Sequence, residues 1–198
     1  MKRLFILIAL LASFHSNAQL SKEFALKTGL NLTNFGDVKG LTGYEFGVVY
    51  KKMFTDKIAA EIGLNYRKQS MLENVKGVET DLDAEFVSLP IAGRLYINKE
   101  FYVRLGMQLS LITHARIDAV SGVHDGLDPD ISGDFNFLHF NGVGGFGYTL
   151  DKTVDIQVEY NYGITDKFIA PTIARESDGK NYVTLRIGWR LFKAELVA

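Results

Sequence analysis

Apolar and polar residues alternate with a period of two along most of the chain after residue 20. In the segment that begins at Phe24, apolar side chains occupy every second position, and Lys27, Gly29 and Asn31 lie between them. Because successive side chains of a β-strand point to opposite faces, this pattern predicts strands with one apolar and one polar face. Similar segments begin at Tyr44, Ile58, Val87, Phe101, Val154 and Val183, and a Gly-rich segment of ambiguous facing covers 138–148.

The connections between these segments alternate between short and long. Short turns on one side and long loops on the other are typical of outer-membrane barrels, and this predicts both chain ends on the periplasmic side. The short connections are tight turns with Asp-Lys or Asn-Lys at 54–57, 97–100 and 150–153. The long connections are rich in Gly, Asp, Thr and Ser and cover 33–42, 68–85, 112–135 and 163–181.

The strand pattern predicts an all-β fold, an eight-stranded antiparallel up-and-down transmembrane β-barrel. Each segment is close to the roughly 9–11 residues that a tilted membrane-spanning strand needs. The polar face places small residues such as Gly47, Gly106 and Gly188 beside large charged ones. That mixture suits the crowded interior of a narrow barrel. The alternative is a lipocalin-like barrel, a carrier in which the apolar face points inward around a hydrophobic ligand.

Composition excludes several classes of protein. The chain has 22 basic and 23 acidic residues, so no global basic field indicates nucleic acid as a partner. It contains no cysteine, which excludes disulfides, thiol catalysis and cysteine metal sites. After the first residues, no apolar run approaches the roughly 18 residues that would predict a membrane-spanning helix.

The first residues have the pattern of a secretory signal peptide. Lys2 and Arg3 precede an apolar run, and the small residues Ser16 and Ala18 follow it. We therefore expect a Sec-type signal peptide over 1–18, cleaved after Ala18, and an outer-membrane β-barrel domain over 19–198. The apolar run is too short to span about 30 Å of hydrocarbon, which argues against a membrane anchor. Export and the barrel pattern together predict the bacterial outer membrane as the location.

Aromatic residues cluster where the predicted strands would leave the hydrocarbon, which indicates two interfacial girdles. Strand propensity of Tyr and Phe is the alternative explanation. The predicted short-turn girdle contains Tyr50, Phe54, Tyr96, Phe101, Tyr148, Trp189 and Phe192. The predicted long-loop girdle contains Tyr66, Phe86, Phe137, Tyr160 and Tyr162.

Several segments together resemble one known family. The signal that ends at Gln19, the first strand over 26–32, the segment Ser88 to Ile91 and the aromatic-ended last strand are similar to the PorT-like outer-membrane β-barrel family of Bacteroidota. The resemblance covers the mature chain and implies a link to the type IX secretion and gliding apparatus, but no catalytic residues. One departure is the tail after Phe192, because many such barrels end on the aromatic that the assembly machinery reads.

The charged residues of the polar face are the candidate site. Eight strands enclose an interior just wide enough for side chains to fill, so we expect a network of ion pairs in place of a conducting pore. Buried pairs of this kind need complete hydrogen bonding to offset desolvation. The predicted barrel interior polar network consists of Lys27, Glu45, Lys51, Glu61, Arg67, Arg94, Arg104, Asp155, Glu159, Arg186 and Arg190.

An acidic loop is the main candidate for a metal site. The segment Asp128 to Gly133 matches the first half of a calcium loop, but His139 stands where the bidentate Glu is required and no helices are predicted beside it. A looser calcium or magnesium site is the alternative, and a solvated loop tip is the default. The acidic residues concerned are Asp125, Asp128, Asp130 and Asp134.

Catalytic patterns are weak. The mature histidines are His114, His124 and His139, and they lack metal-ligand spacing. A lipid-modifying barrel enzyme needs a Ser and a His side by side, whereas a regular strand places Ser110 and His114 on one face about 13 Å apart. We therefore expect a non-enzymatic monomer without a cofactor. Its partners are outer-membrane lipid and a protein bound by the surface loops, and its role lies in envelope structure or partner interaction. A lipocalin-like carrier and a lipid-modifying enzyme are the alternatives.

Overall fold

The chain folds into one closed antiparallel β-barrel of eight strands in sequence order, so the fold class predicted from the alternation is confirmed. The computed structural model describes residues 21–33, 41–75, 78–119, 138–151, 153–165 and 181–195. Within these ranges, no helix is long and apolar enough to cross a membrane. The strands are β1 (Ser21–Thr33), β2 (Leu41–Met53), β3 (Ile58–Val75), β4 (Val78–Tyr96), β5 (Phe101–Ala119), β6 (Leu138–Leu150), β7 (Val154–Gly163) and β8 (Tyr182–Glu195).

Each strand pairs with the next, and β1 pairs with β8 to close the barrel. Strand β8 continues past Phe192, and Glu195 pairs with Ser21, so the tail extends the closing ladder. Closure removes the free strand edges that an open sheet would leave in lipid. The facing of β6 is also settled, since His139, Asn141 and Val143 point inward and Phe140 points outward.

The outer surface of the barrel is apolar. Leu105 is 66% exposed and Leu30 is 57% exposed on that face. In a lipocalin the apolar face would point inward, so this arrangement is the reverse of the carrier alternative. The large apolar side chains on this face include Phe24, Leu26, Leu32, Phe46, Val48, Ile62, Leu64, Ile91, Met107, Phe146, Ile156, Leu185, Ile187 and Trp189.

The aromatic girdles form in part. Near the short turns, the Phe24 ring lies 5.0 Å from that of Tyr50 and 4.8 Å from that of Phe192, between centroids. The predictions for Tyr96 and Phe86 were wrong, because both side chains point into the barrel and are buried. Their inward orientation follows from strand parity, the alternation of side chains between the two faces. Parity sets the direction of a side chain even near the end of a strand. Phe137 lies outside the described residues.

The three predicted tight turns are confirmed, at 54–57, at 97–100 and between Leu150 and Val154, where the Thr153 amide donates to the Leu150 carbonyl at 3.0 Å. The Thr55 hydroxyl accepts a hydrogen bond from the Ile58 amide at 3.0 Å, and the Asn98 side chain accepts one from the Glu100 amide at 2.9 Å. Asp151 adopts a φ of 47°, a left-handed conformation that Asp tolerates better than most residues. Local side-chain hydrogen bonds thus fix the turns that join neighbouring strands.

Strands β3, β4 and β5 are longer than the rest, at 18 to 19 residues against 10 to 14. The predicted loop over 68–85 was therefore wrong, since the β3–β4 ladder continues up to the pair Val75 and Val78. Strand β5 likewise continues to Ala119, so residues 112–119 of the predicted loop belong to a strand, and 120–135 lies outside the described residues. Over 68–75 the sequence has no regular alternation, whereas over 78–85 neutral or apolar residues alternate with acidic ones, a strand signal that the sequence analysis missed.

A β-bulge interrupts the β4–β5 ladder between Glu85 and Phe86. On β5, the extra residue is Thr113, whose hydroxyl donates to the Glu85 carbonyl at 3.2 Å. A bulge shifts the side chains that follow it to the opposite face. Ile112 and Ala115 are therefore both buried, while His114 points away from the face on which Ser110 lies.

Glycine brings β4 and β5 together at Gly106. A methyl group added there would lie 2.6 Å from the Cα of Ala92 and against the Ile91 carbonyl, which are backbone contacts that side-chain motion cannot relieve. Gly93, on the outer face of β4, has no atom closer than 3.9 Å to its added methyl.

We expect Gly106→Ala to lower the free energy of unfolding by about 1–3 kcal/mol, the usual cost of overpacking. Gly93→Ala is the matched control and should change the value by less than about 0.5 kcal/mol. Urea unfolding in lipid vesicles measures both variants. Equal stability of the two variants would contradict the close approach.

Candidate functional site

The barrel interior is filled by charged and polar side chains. Among the eleven residues of the predicted polar network, nine are buried, with at most 6% of the surface of each residue exposed. Asp155 and Arg190 are partly buried and line the interior near the short turns. Strand alternation places all of them on the same face, opposite the apolar side chains.

Glu61 is the centre of the network. Its carboxylate accepts hydrogen bonds from Arg94 Nε at 2.6 Å and from Arg104 Nε, and Lys27 Nζ lies 3.4 Å away. These three cations come from β1, β4 and β5, whereas Glu61 lies on β3. A single carboxylate thus joins four strands across the barrel.

Glu159 on β7 is a second centre. It forms an ion pair with Arg104 Nη1 at 2.8 Å and accepts hydrogen bonds from Arg186 Nη1 and from the Gln157 amide. Arg186 also donates through Nε to Glu45 on β2. Arg104 therefore bridges the two carboxylate centres, and Arg186 extends the network to the far wall. Charge-assisted hydrogen bonds of this kind are about twice as strong as neutral ones, which favours one fixed arrangement.

A smaller cluster lies near the short turns and includes a residue that the sequence analysis missed. Glu23 is buried and pairs with Lys51 at 2.6 Å and with Arg190 at 3.1 Å. Asp155 accepts from Arg94 at 2.8 Å and links this cluster to Glu61. Glu23 has the same parity as Lys27, so extending the alternation of β1 back by a few residues would have found it.

Aromatic rings narrow the interior between the network and the short turns. The Tyr96 and Tyr102 rings lie 5.3 Å apart, and the Arg94 guanidinium lies 4.2 Å from the centroid of Tyr102. Lys51 Nζ donates to the Tyr96 hydroxyl at 3.0 Å. Tyr102 packs against Gly147, where any side chain would collide with its ring. The rings and the ion pairs together thus occupy the cross-section of the barrel.

The half of the interior that lies away from the short turns, called the outer half here, is built mainly from neutral polar groups. The hydroxyls of Ser88 and Ser110 lie 2.8 Å apart, and Thr184 donates to the Asn31 side chain at 2.8 Å. Arg67 is a charged member of the predicted network that borders this half, beside the Phe86 ring and in register with Glu45 on β2. The interior therefore has two chemically different halves.

The network can hold the strands in register, but its geometry provides few catalytic elements. Ser110 is buried and points inward, whereas the bulge turns His114 to the other face, so these two residues do not form a dyad. Among the described side chains, no group of three or more His, Cys, Asp or Glu residues could hold a metal ion. The acidic segment over 125–134 lies outside the described residues.

Comparisons with known proteins agree with this geometry. The model of the outer membrane protein beta-barrel domain matches residues 4–190. No curated protein matches the sequence.

The solved structures that are similar to this chain include three bacterial proteins, each named as a surface, attachment or outer-membrane protein. Ail, the attachment invasion locus protein of Yersinia pestis, is 15% identical, with a TM-score of 0.48 over 88% of this chain and 100% of that chain. Neisserial surface protein A is 15% identical, with a TM-score of 0.43 over 87% and 96%. OprG of Pseudomonas aeruginosa is 12% identical, with a TM-score of 0.41 over 89% and 97%. On the family match, which covers nearly the whole sequence, the chain belongs to the outer membrane protein β-barrel domain family.

Proposed function

We propose that the protein is a non-conducting, non-enzymatic outer-membrane barrel whose partner interactions lie in the connections opposite the short turns. The observation that carries this proposal is the network around Glu61 and Glu159, which joins strands on all sides of the interior. A rigid, filled barrel is a scaffold, and binding residues on a rigid scaffold are usually found in its loops. The apolar outer wall makes outer-membrane lipid the first partner of this monomer.

The proposal predicts very low permeability. Purified protein in planar lipid bilayers should give no stable open channel, because the ion pairs and the Tyr96 and Tyr102 rings block the interior. A general porin recorded in the same bilayers is the positive control. Large and stable openings of the wild-type protein would refute the filled scaffold.

The site of partner interaction can be tested separately from barrel assembly. Replacing 120–137 by a short Gly-Ser turn should leave assembly nearly intact, because loop length has a small entropic cost. Assembly is measured as the shift in gel mobility between unheated and heated samples. Binding of the partner, once captured by cross-linking on cells, should be lost. A shortened protein that keeps full binding would place the interaction elsewhere.

The alternatives receive less support from the geometry. A lipocalin-like carrier needs an apolar interior, whereas the described interior is charged. A lipid-modifying enzyme needs a nucleophile next to a base at the membrane surface, and the bulge at Thr113 separates Ser110 from His114.

We also propose a role in the envelope linked to a type IX secretion apparatus. Support comes from the resemblance to PorT-like barrels in the first strand and in the segment Ser88 to Ile91. Deletion of the gene should then abolish secretion of the cargo of that apparatus, and re-expression should restore it. Unchanged secretion would leave a general structural role in the envelope.

Delivery to the outer membrane is proposed to use the Sec-type signal over 1–18, with cleavage after Ala18. Sequencing of the mature protein from membranes should therefore begin at Gln19. The proposed mature domain then covers 19–198.

A further inference from the structure

Arg67 is a buried guanidinium without a matching negative charge. Its side chain is 2% exposed, and its Nε and Nη1 atoms have no hydrogen-bond partner. Among the described residues, no carboxylate lies within ion-pair distance of it, although its neighbour in the register, Glu45, is bonded to Arg186. The other inward basic residues of the described interior each contact a carboxylate: Lys27, Lys51, Arg94, Arg104, Arg186 and Arg190.

Two aromatic rings hold the guanidinium in place. Its Cζ lies 4.4 Å from the centroid of Phe86 and 4.5 Å from that of Tyr182. The Tyr182 hydroxyl is itself fixed, since it accepts from the Gln108 amide at 3.2 Å. Stacking satisfies the two faces of the planar group but leaves the N–H groups at its edge. The donors are therefore rigidly presented.

Neutral neighbours cannot balance this charge. Apart from Glu45, which is bonded to Arg186, the inward residues near Arg67 are amides and hydroxyls, such as Asn65, Ser88 and Gln108. Water can bond to the unpaired Asn65 Oδ1 and Gln108 Oε1 atoms, but it does not neutralise a cation. A buried charge without a counter-charge has a large desolvation cost. The described interior as a whole also has an excess of positive charge, since its seven basic groups face five carboxylates. These carboxylates belong to Glu23, Glu45, Glu61, Asp155 and Glu159.

We propose that Arg67 is an anion-binding residue, and that a small free oxyanion such as phosphate binds its edge inside the outer half of the barrel. Guanidinium N–H groups match the oxygens of phosphate and carboxylate better than they match a spherical ion. On the outer side of Arg67, Gln69 is the next inward residue of β3, and its register partners Gly43 and Ala84 have short side chains, as does Ala115 on β5. This site goes beyond the scaffold role proposed above.

The test uses the full mature protein, labelled with ¹⁵N and folded in a non-ionic detergent that contains no phosphate, so that lipid headgroups do not contribute. Inorganic phosphate is titrated against sodium chloride at constant ionic strength. The Arg67 Nε–H resonance should shift and saturate, while that of Arg104, which is already bonded to Glu61, should stay constant. Because both resonances come from the wild-type protein, this reading does not depend on the folding of a variant.

Two variants locate the bound anion. Arg67→Gln should weaken phosphate binding by at least about tenfold, the effect of losing a charge-assisted hydrogen bond. Lys68→Gln is the matched control, because it removes a positive charge at the next position, on the outer face, where Lys68 pairs with Asp83 at 2.7 Å. It should retain wild-type phosphate binding, measured by calorimetry.

A resonance that does not respond to phosphate would overturn the proposal, because Arg67 would then be neutralised within the protein. Equal binding by wild type and Arg67→Gln would overturn it as well.

Discussion

Replacement of Glu61 by Gln should lower the free energy of unfolding by about 3–5 kcal/mol, the usual cost of removing one partner from a buried ion pair. The change keeps the size of the side chain but removes the charge that Arg94, Arg104 and Lys27 share. Three cations would then remain buried around a neutral amide. The loss should exceed that of any single surface charge.

Unfolding in urea can be followed by the fluorescence of Trp189, the single tryptophan of the chain, which lies on the outer face. Asp83→Asn is the matched control, because it breaks a partly exposed pair with Lys68 and should cost less than about 1 kcal/mol. A double variant with Arg104→Gln should show strong non-additivity, since both groups act in one network. A Glu61→Gln protein as stable as Asp83→Asn would mean that water, and not Glu61, balances these cations.

Leu105→Arg should cost about 2–4 kcal/mol, because a charge would enter the hydrocarbon near its midplane. Leu105 lies on the outer face of β5, as the fifth residue after the short turn, and is 66% exposed. The measurement is again urea unfolding in vesicles, with membrane insertion checked by flotation.

Ile97→Arg provides the control for depth. Ile97 is 61% exposed, but it lies in the short turn after β4, where a charge reaches the interface and should cost about 0–1 kcal/mol. Equal costs at the two positions would mean that the apolar wall does not lie in lipid.

The strands and their facing were predictable because side-chain parity is a local property. Alternation around Glu61 or Arg104 depends only on adjacent residues, and it assigns the inward face without knowledge of neighbouring strands. The tight turns were predictable for the same reason, since Thr55 and Asn98 bond to amides two or three residues away.

The partners of each charge depend on long-range register and could not be read from the sequence. Glu61 meets Arg104 across β4, and this contact depends on the stagger of three strands. The bulge at Thr113 adds one residue and reverses parity beyond it, which alternation alone does not reveal. Tyr96 and Phe86 show the opposite error, because their position near strand ends was given more weight than parity.

The pairing of β1 with β8 has a consequence for the rate of folding. Asn31 and Thr184, which meet at this seam, are 153 positions apart along the chain. Every other ladder joins consecutive strands, so the seam requires the longest loop closure of the molecule. We therefore expect a slow final kinetic phase in which the hairpins are already formed. Substitutions at the seam should slow this phase and leave hairpin formation unchanged.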